Sequence, residues 1–347
     1  VRYRQRISAP GVRQSPAPVV IGGDLYPYVA AFTPSGETGD LLSRTSGVAP
    51  YALYLHLIDS AGAIGPPLDG PWSRPDYPSY IGSSGWDALA VGPDGAPVVA
   101  WVEDDGPGFD LRVRWYDSQG SVRAEHVEGD PTELVTSVRV AVDGLGRTLV
   151  AWARVPSDPP TPDLELRLRV FDGDGVPLQP PLDPDPISKQ EHLGEVAGFP
   201  DGGFVLSWTW YSSGGLEGWV RRFDSEGVPL DAEPRAVSVL DDQFLFMSRI
   251  AVDAWSGGFA ATWSGMHRYM GVSYVFARTF DREGNPTSRP TPAGVYAGWS
   301  PDLRVGPDGR FLVLWYRGWS DPSVDRCSYF VVVGQRFLPD GRPVGLL

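Results

Sequence analysis

Residues 221–230 read RRFDSEGVPL. The stretch runs from an aromatic strand end through an acid and a glycine turn to a proline. It has sisters: RWYDSQGSV ends on Val122, RVFDGDGVPL on Leu178, RTFDREGNP on Pro286, QRFLPDGRPV on Val344 and HLIDSAGAI on Ile64. The hydrophobic position before the acid falls at Ile58, Tyr116, Phe171, Phe223, Phe280 and Phe337, at intervals of 52 to 58 residues. A fixed period of this size marks a repeat architecture.

A second marker precedes each turn. GAPVVAW ends on Trp101, GRTLVAW on Trp152, GGFVLSW on Trp208, GGFAATW on Trp263 and GRFLVLW on Trp315, with YVAAF ending on Phe32 as a degenerate first copy. Each copy reads as four strands. Strand A is short and alternating (Val138–Val142, Leu303–Val305), strand B is the apolar run to tryptophan, strand C alternates (Leu164–Phe171), and strand D follows the FDxxG turn. Turn residues bounding β-branched and aromatic runs are hairpin signals, and no amphipathic helical period occurs. Repeated four-stranded units of about 50 residues argue for an all-β fold, a β-propeller of six four-stranded blades, with seven as the alternative. The expected single domain spans 1–347, with blades near 17–80, 81–131, 132–188, 189–243, 244–295 and 296–347. Residues 1–16 resemble a strand C and its turn, and are expected to pair with the last blade and close the ring.

On these two markers the chain resembles bacterial propeller repeats of the form GxFVVxW…ARxFDxxGxP, well over residues 80–347 and poorly before them. The resemblance implies the fold and export from the cell, and no particular activity.

Composition narrows the function. The net charge of −14, from 43 acidic and 29 basic residues, argues against nucleic acid as a partner. No apolar run reaches the length of a membrane span. Lys189 is the only lysine, which with the abundance of Ala, Gly and Pro points to GC-rich, bacterial coding. Cys327 is the only cysteine, so no intrachain disulfide forms; a lone thiol fits the cytosol as well as the expected extracellular, periplasmic or cell-surface location.

Two residues before the marker stand His56, Arg114, Arg169, Arg221, Arg278 and Gln335. A ring of cations for an anion is one reading. The structural one, an arginine per blade stacked on the strand-B tryptophan or paired with a turn carboxylate, is preferred. Asp117, Asp172, Asp224 and Asp281 open glycine turns and are expected to bond the turn amides.

The A–B and C–D turns are short and repetitive, whereas the B–C and D–A connections are long and all different, so binding is expected on the B–C and D–A side. The expected B–C loops are 33–50, 103–110, 154–163, 210–218, 265–271 and 317–327, with long D–A connections at 70–86 and 240–247. Candidate ligand-binding residues there are Trp72, Tyr77, Glu103, Asp105, Arg154, Trp210, Tyr211, Arg268, Tyr269, Arg317 and Trp319. Aromatic rings beside carboxylates and arginines suit a glycan or another polar organic ligand. Trp219 and Trp255 read as packing residues, being within or beside strands.

Catalysis has a weaker signature. His56, His126 and His192 read as structural or surface residues; His267, in GMHRYMG, is the candidate general base if a carboxylate orients it. Glu103, Asp104, Asp105 and Glu217 supply carboxylates for glycoside cleavage, and Asp104, Asp105 and Asp110 are candidate Ca²⁺ ligands, against the plainer reading of a solvated acidic loop. No resident cofactor or metal centre is otherwise expected. The favoured expectation is a secreted or surface propeller that binds a glycan, small polar molecule or partner protein. The alternatives are a lyase or hydrolase on the same face, and a purely structural scaffold.

Overall fold

The computed structural model describes residues 2–4, 19–21, 25–32, 39–45, 52–58, 64–73, 87–104, 109–128, 134–155, 164–184, 191–212, 215–237, 244–267, 273–295, 301–320 and 328–345. Strands and turns make up these segments, with no helix among them, and so no helix there is long and apolar enough to cross a membrane.

β1 (Arg2–Arg4) pairs antiparallel with β2 (Val19–Ile21). Six larger sheets follow. Sheet 1 is β3 (Leu25–Phe32), β4 (Gly39–Thr45), β5 (Ala52–Ile58) and β6 (Ile64–Ser73). Sheet 2 is β7 (Asp87–Val91), β8 (Pro97–Asp104), β9 (Phe109–Tyr116) and β10 (Val122–Glu128). Sheet 3 has three strands, β11 (Leu134–Val142), β12 (Thr148–Val155) and β13 (Glu165–Phe171). Sheet 4 is β14 (Glu191–Gly198), β15 (Phe204–Ser212), β16 (Gly215–Phe223) and β17 (Arg235–Ala236). Sheet 5 is β18 (Phe244–Trp255), β19 (Gly258–His267), β20 (Ser273–Asp281) and β21 (Thr291–Val295). Sheet 6 is β22 (Asp302–Val305), β23 (Phe311–Ser320), β24 (Ser328–Phe337) and β25 (Pro343–Val344). Each sheet is ordered as the chain runs, A-B-C-D.

Two compact units divide the chain, Val1–Pro184 with Ser225–Gly227, and Asp185–Asp224 with Val228–Leu347. The first holds sheets 1 to 3. Leu55, Leu89, Val99, Trp101 and Tyr116 fill the space between sheets 1 and 2; Val98, Ala100, Val113 and Trp115 meet Val138, Val150, Trp152 and Phe171 between sheets 2 and 3. The second unit repeats the scheme, with Val205 and Val220 against Ile250, Phe259 and Trp263, and Val275 and Ala277 against Leu303, Phe311, Val313 and Trp315. A middle strand buried on both faces has no polar side, which is why strand B reads as an unbroken apolar run. The marker aromatics close the sheets by cross-strand stacking: Phe259 lies over Phe280 at 4.6 Å and Phe311 over Phe337 at 4.8 Å, each pair directly opposite in register.

The FDxxG unit is a turn that builds itself. In the copy at 117–121 the Gly120 amide donates to the Asp117 carbonyl at 3.0 Å and the Asp117 amide to the Ser121 carbonyl at 2.8 Å. The Asp117 carboxylate accepts from the Gln119 and Ser121 amides, and Gly120 takes φ 85°. That is a four-residue turn closed by a left-handed residue, a conformation glycine adopts without a Cβ penalty. The Ser121 amide foremost holds the Asp117 carboxyl below its ordinary value. Asp172, Asp224 and Asp281 accept from the equivalent amides of Val176, Val228 and Asn285.

The repeated cation is a clamp on the segment that follows the turn. Arg169, Arg221 and Arg278 each donate from Nε to the backbone carbonyl ten residues on, those of Gln179 (2.8 Å), Asp231 (3.2 Å) and Ser288 (3.1 Å). Gln335 donates from Nε2 to the carbonyl nine residues on, that of Val344, at 3.0 Å. Arg114 instead reaches Glu125 on β10 and Asp69 on β6, with its guanidinium 5.2 Å from the Trp101 ring centre. No second ring of cations for an anion is needed to explain these side chains.

Two expectations are corrected. Leu25–Phe32 is the first strand of its sheet, not the second; Gly39–Thr45, expected to be loop, is the second, held by ladders to β3 and β5. Lacking the terminal tryptophan, it carries no marker. Of the N-terminal segment expected to close the ring, Arg2–Arg4 pairs with Val19–Ile21, and residues 1 and 5–16 lie outside the described residues. Among the described residues, sheet 3 has no fourth strand but only bridges Leu168–Leu182 and Phe171–Pro177. Prolines at 177, 180 and 181 have no N–H to give a ladder.

Candidate functional site

Several expected B–C loops are strand. Glu103 and Asp104 end β8, Phe109 and Asp110 open β9, Trp210–Ser212 end β15, Gly265–His267 end β19, and Arg317–Ser320 end β23. The expected D–A connections give way likewise: Trp72 lies on β6 opposite Leu53, and Phe244–Met247 on β18. Ladder hydrogen bonds satisfy backbone polar groups that a loop would leave to water, so the hairpins lengthen even where side chains alternate poorly.

This extension puts one rung in register across the repeat, two residues beyond the strand-B tryptophan. The opposed pairs are Glu103 with Asp110, Arg154 with Glu165, Trp210 with Glu217, Gly265 with Tyr274, and Arg317 with Val331. Position is kept and chemistry changes, the reverse of the FDxxG turn. Within each pair the two residues share a face of the sheet.

In sheets 2 and 3 the rung is tied into ion pairs. Arg112 pairs with Glu103, with Glu125 at 3.1 Å and with Asp110 at 3.9 Å. Glu165 bridges Arg154 at 3.0 Å and Arg167 at 2.8 Å, and Arg167 also holds Asp183 at 2.9 Å. Glu103 and Arg154, expected ligand-binding residues, therefore already carry charge partners.

Sheet 4 differs. Where sheets 2 and 3 have Arg112 and Arg167, it has Trp219. Trp219 lies opposite the fully buried Trp208, and Glu217 opposite Trp210, so Glu217 shares its face with half-buried indoles at 210 and 219. The Trp219 indole nitrogen is buried and meets no acceptor among the described residues. On the other side of Trp210, Glu191 of β14 is its register partner. Sheet 5 adds an aromatic column, with Trp263 stacked on Phe276 at 5.8 Å and Phe276 on Tyr274 at 5.9 Å.

The remaining candidates fall as follows. His267 lies on β19 in register with Phe244, Arg317 with Val331 and Trp319 with Tyr329, and Tyr211 with Leu216. Tyr77, Asp105, Arg268 and Tyr269 lie outside the described residues. The expected Ca²⁺ set, which includes Asp105, lies partly outside the described residues; among the described residues no group of three or more His, Cys, Asp or Glu is placed to hold a metal ion. Trp219, read from the sequence as packing, belongs to the indole face. Its signal was an indole at a position where sheets 2 and 3 carry Arg112 and Arg167, and sheets 5 and 6 carry Phe276 and Val333.

No family model matches the sequence, and no curated protein matches it. Solved structures do. An α-L-arabinofuranosidase from Fusarium graminearum, with an iminosugar inhibitor, aligns with TM-score 0.52 at 11% identity over 83% of this chain and 88% of its own. An oligogalacturonate lyase in complex with manganese aligns at 0.50 and 10% identity over 91% of this chain and 82% of its own. Prolyl oligopeptidase B from Galerina marginata gives 0.53 and 10% identity over 97% of this chain and 45% of its own. The likeness is one of fold, the β-propeller. At these identities the likeness shows the fold alone.

Proposed function

We propose that the protein binds a glycan or a similarly polar organic ligand at the B–C ends of sheets 4 to 6, as an exported propeller-type protein with one blade to each of its six sheets. The observation that carries this reading is the face made by Trp210, Glu217 and Trp219. Indoles cover the C–H faces of a sugar, and a carboxylate accepts its hydroxyl protons. The indole at 219, where sheets 2 and 3 carry Arg112 and Arg167, favours sheet 4 as the centre. Tyr211, His267, Arg317 and Trp319, on the neighbouring strand ends of the same unit, are proposed to extend the surface.

A second reading is catalysis on the same surface. What favours it is that two of the three fold relatives are named as a glycosidase and a lyase of carbohydrate. Glu217 then belongs to a carboxylate pair, and His267 is the candidate base.

Intrinsic tryptophan fluorescence and calorimetry against an oligosaccharide panel test the proposal. Trp210→Ala is expected to weaken binding at least about tenfold, the scale of one lost stacking surface, with an unchanged unfolding midpoint. Unaltered affinity in Trp210→Ala and Glu217→Gln would sink the placement. New reducing ends or unsaturated products on incubation would move the reading to catalysis.

A further inference from the structure

We propose that the outer edge of β24 takes an extended, acidic segment of a partner protein as an added strand of sheet 6, independently of the glycan reading. β24 pairs with β23 along its whole length without a register shift, but β25 meets it only at Arg336 and Phe337. From Ser328 to Gly334 its outer edge has no ladder partner among the described residues, a run of about 20 Å. Sister sheets fill that place. Opposite the strand-B tryptophan and its successor, Val333 and Val332 correspond to Arg112 and Leu111 of sheet 2, Trp219 and Gly218 of sheet 4, and Phe276 and Val275 of sheet 5. β10 pairs with Arg112 and Leu111, β17 with Trp219, and β21 with Phe276 and Val275. Leu111 is 1% exposed and Val275 fully buried, whereas Val331 and Val332, on opposite faces of the sheet, are 51% and 63% exposed.

An open edge invites pairing, and proteins ordinarily blunt it with charge, proline or a bulge. The stretch SYFVVVG at 328–334 has neither charge nor proline, and its ladder to β23 has no bulge. On β13, by contrast, Leu182 bridges Leu168, and Arg167 Nη1 donates to the Leu166 carbonyl at 2.9 Å. Charge selects the occupant. The described residues of sheet 6 hold five arginines against three aspartates, in a chain of net charge −14. Arg336, at the closed end of the open run, is exposed and enters no ion pair among the described residues. A partner acid opposite Gly334 is a diagonal neighbour of Arg336, within reach of its guanidinium. Apolar partner side chains then lie against Val331 and Val332, and main-chain hydrogen bonds supply the rest, as in strand addition to a sheet edge. A second copy of this chain brings its own charge of −14, which opposes pairing of two β24 edges.

The probe is the peptide VRAEHVE, residues 122–128, which is the strand that fills this place in sheet 2 and carries two glutamates against one arginine. Amide exchange in the full chain alone is expected to be at least about tenfold faster at Val331–Gly334 than at the covered Tyr274–Ala277, and to slow when the peptide is added. Calorimetry is expected to show binding that falls at least about tenfold when the peptide carries His126→Pro, which removes a ladder donor, or when the protein carries Val332→Asp. Arg336→Gln is expected to weaken binding about threefold, the scale of one surface ion pair, and carries the test should Val332→Asp fold poorly. Slow exchange at Val331–Gly334 without peptide means that the edge is already filled and overturns the proposal; sedimentation then tells a second copy from a segment of the same chain. No binding of VRAEHVE, or binding indifferent to both Val332→Asp and Arg336→Gln, overturns it equally.

Discussion

Asp231 is the residue whose loss the second unit should feel most. Its side chain is only 2% exposed and receives three bonds from Arg222: the backbone amide at 3.1 Å, Nε at 3.0 Å and Nη2 at 2.7 Å. Arg235 adds a fourth at 2.9 Å. Burial pushes the Asp231 carboxyl up, and the bonds and charges of Arg222, with the charge of Arg235, overcome it and leave it below its ordinary value. Asp231→Asn keeps the shape, removes the charge and turns an amide N–H₂ toward a guanidinium. Breaking a buried pair from one side costs about 3–5 kcal/mol, which for a unit of this size lowers Tm by about 6–20 °C. The comparison is Asp340→Asn. Its partner Arg342 lies 2.7 Å away with side chains 73% and 50% exposed, so solvent screens the pair and no resolvable shift in Tm is expected. Scanning calorimetry and urea titration read both. A depressed carboxyl stabilises above the unfolded-state value near 3.9 and loses that contribution as pH falls through the folded value, so the gap between the unaltered protein and Asp231→Asn should close on acidification. Equal shifts in the two variants, or a gap that widens at low pH, would refute the reasoning.

Two further outcomes are expected. Gly203 has φ 88° and a Cβ there would lie 2.6 Å from the Phe223 carbonyl oxygen, whereas at Gly146, φ 79°, a Cβ meets nothing within 4 Å. Gly146→Ala should cost about 1–2 kcal/mol from left-handed strain alone, and Gly203→Ala at least twice that, because the Phe204–Phe223 rung must part; denaturant midpoints decide, and equal values would discard the clash argument. Asp253 has the opposite pH sign to Asp231: burial pushes its carboxyl up despite the charge of Arg304 and the amides of Val305 and Ala254. A raised acid binds its proton more tightly folded than unfolded, so its contribution is largest at low pH and falls as pH rises. Asp253→Asn should therefore gain on the unaltered protein between about pH 4 and 7 in urea titrations, and a loss across that window would count against the burial.

The repeat was legible because it is local. A turn such as Asp117–Ser121 is built from its own amides and one glycine, so every copy announces itself in a few residues. The same locality hid other features. Gly39–Thr45 has no marker, and only its ladders to both neighbours make it a strand. Trp210 and Glu103 looked like loop residues because strand B was taken to end at its tryptophan. Hairpin length, however, is decided by pairing across the ladder, which no single stretch encodes. Arg112 and Trp219 stand at one position of two sheets, yet their meaning comes from what lies opposite, Glu103 across one ladder and Trp208 across the other.

By itself the sequence determined the period, the turn chemistry, the buried strand B and the all-β class, since each follows from residues near one another in the chain. Which acids are neutralised and which lie among indoles was decided only by the tertiary structure. Charge partners there, such as Asp69 for Arg114 and Glu128 for Arg169, come from strands about 40 residues away, and the energy of a charge depends on the neighbours that folding supplies.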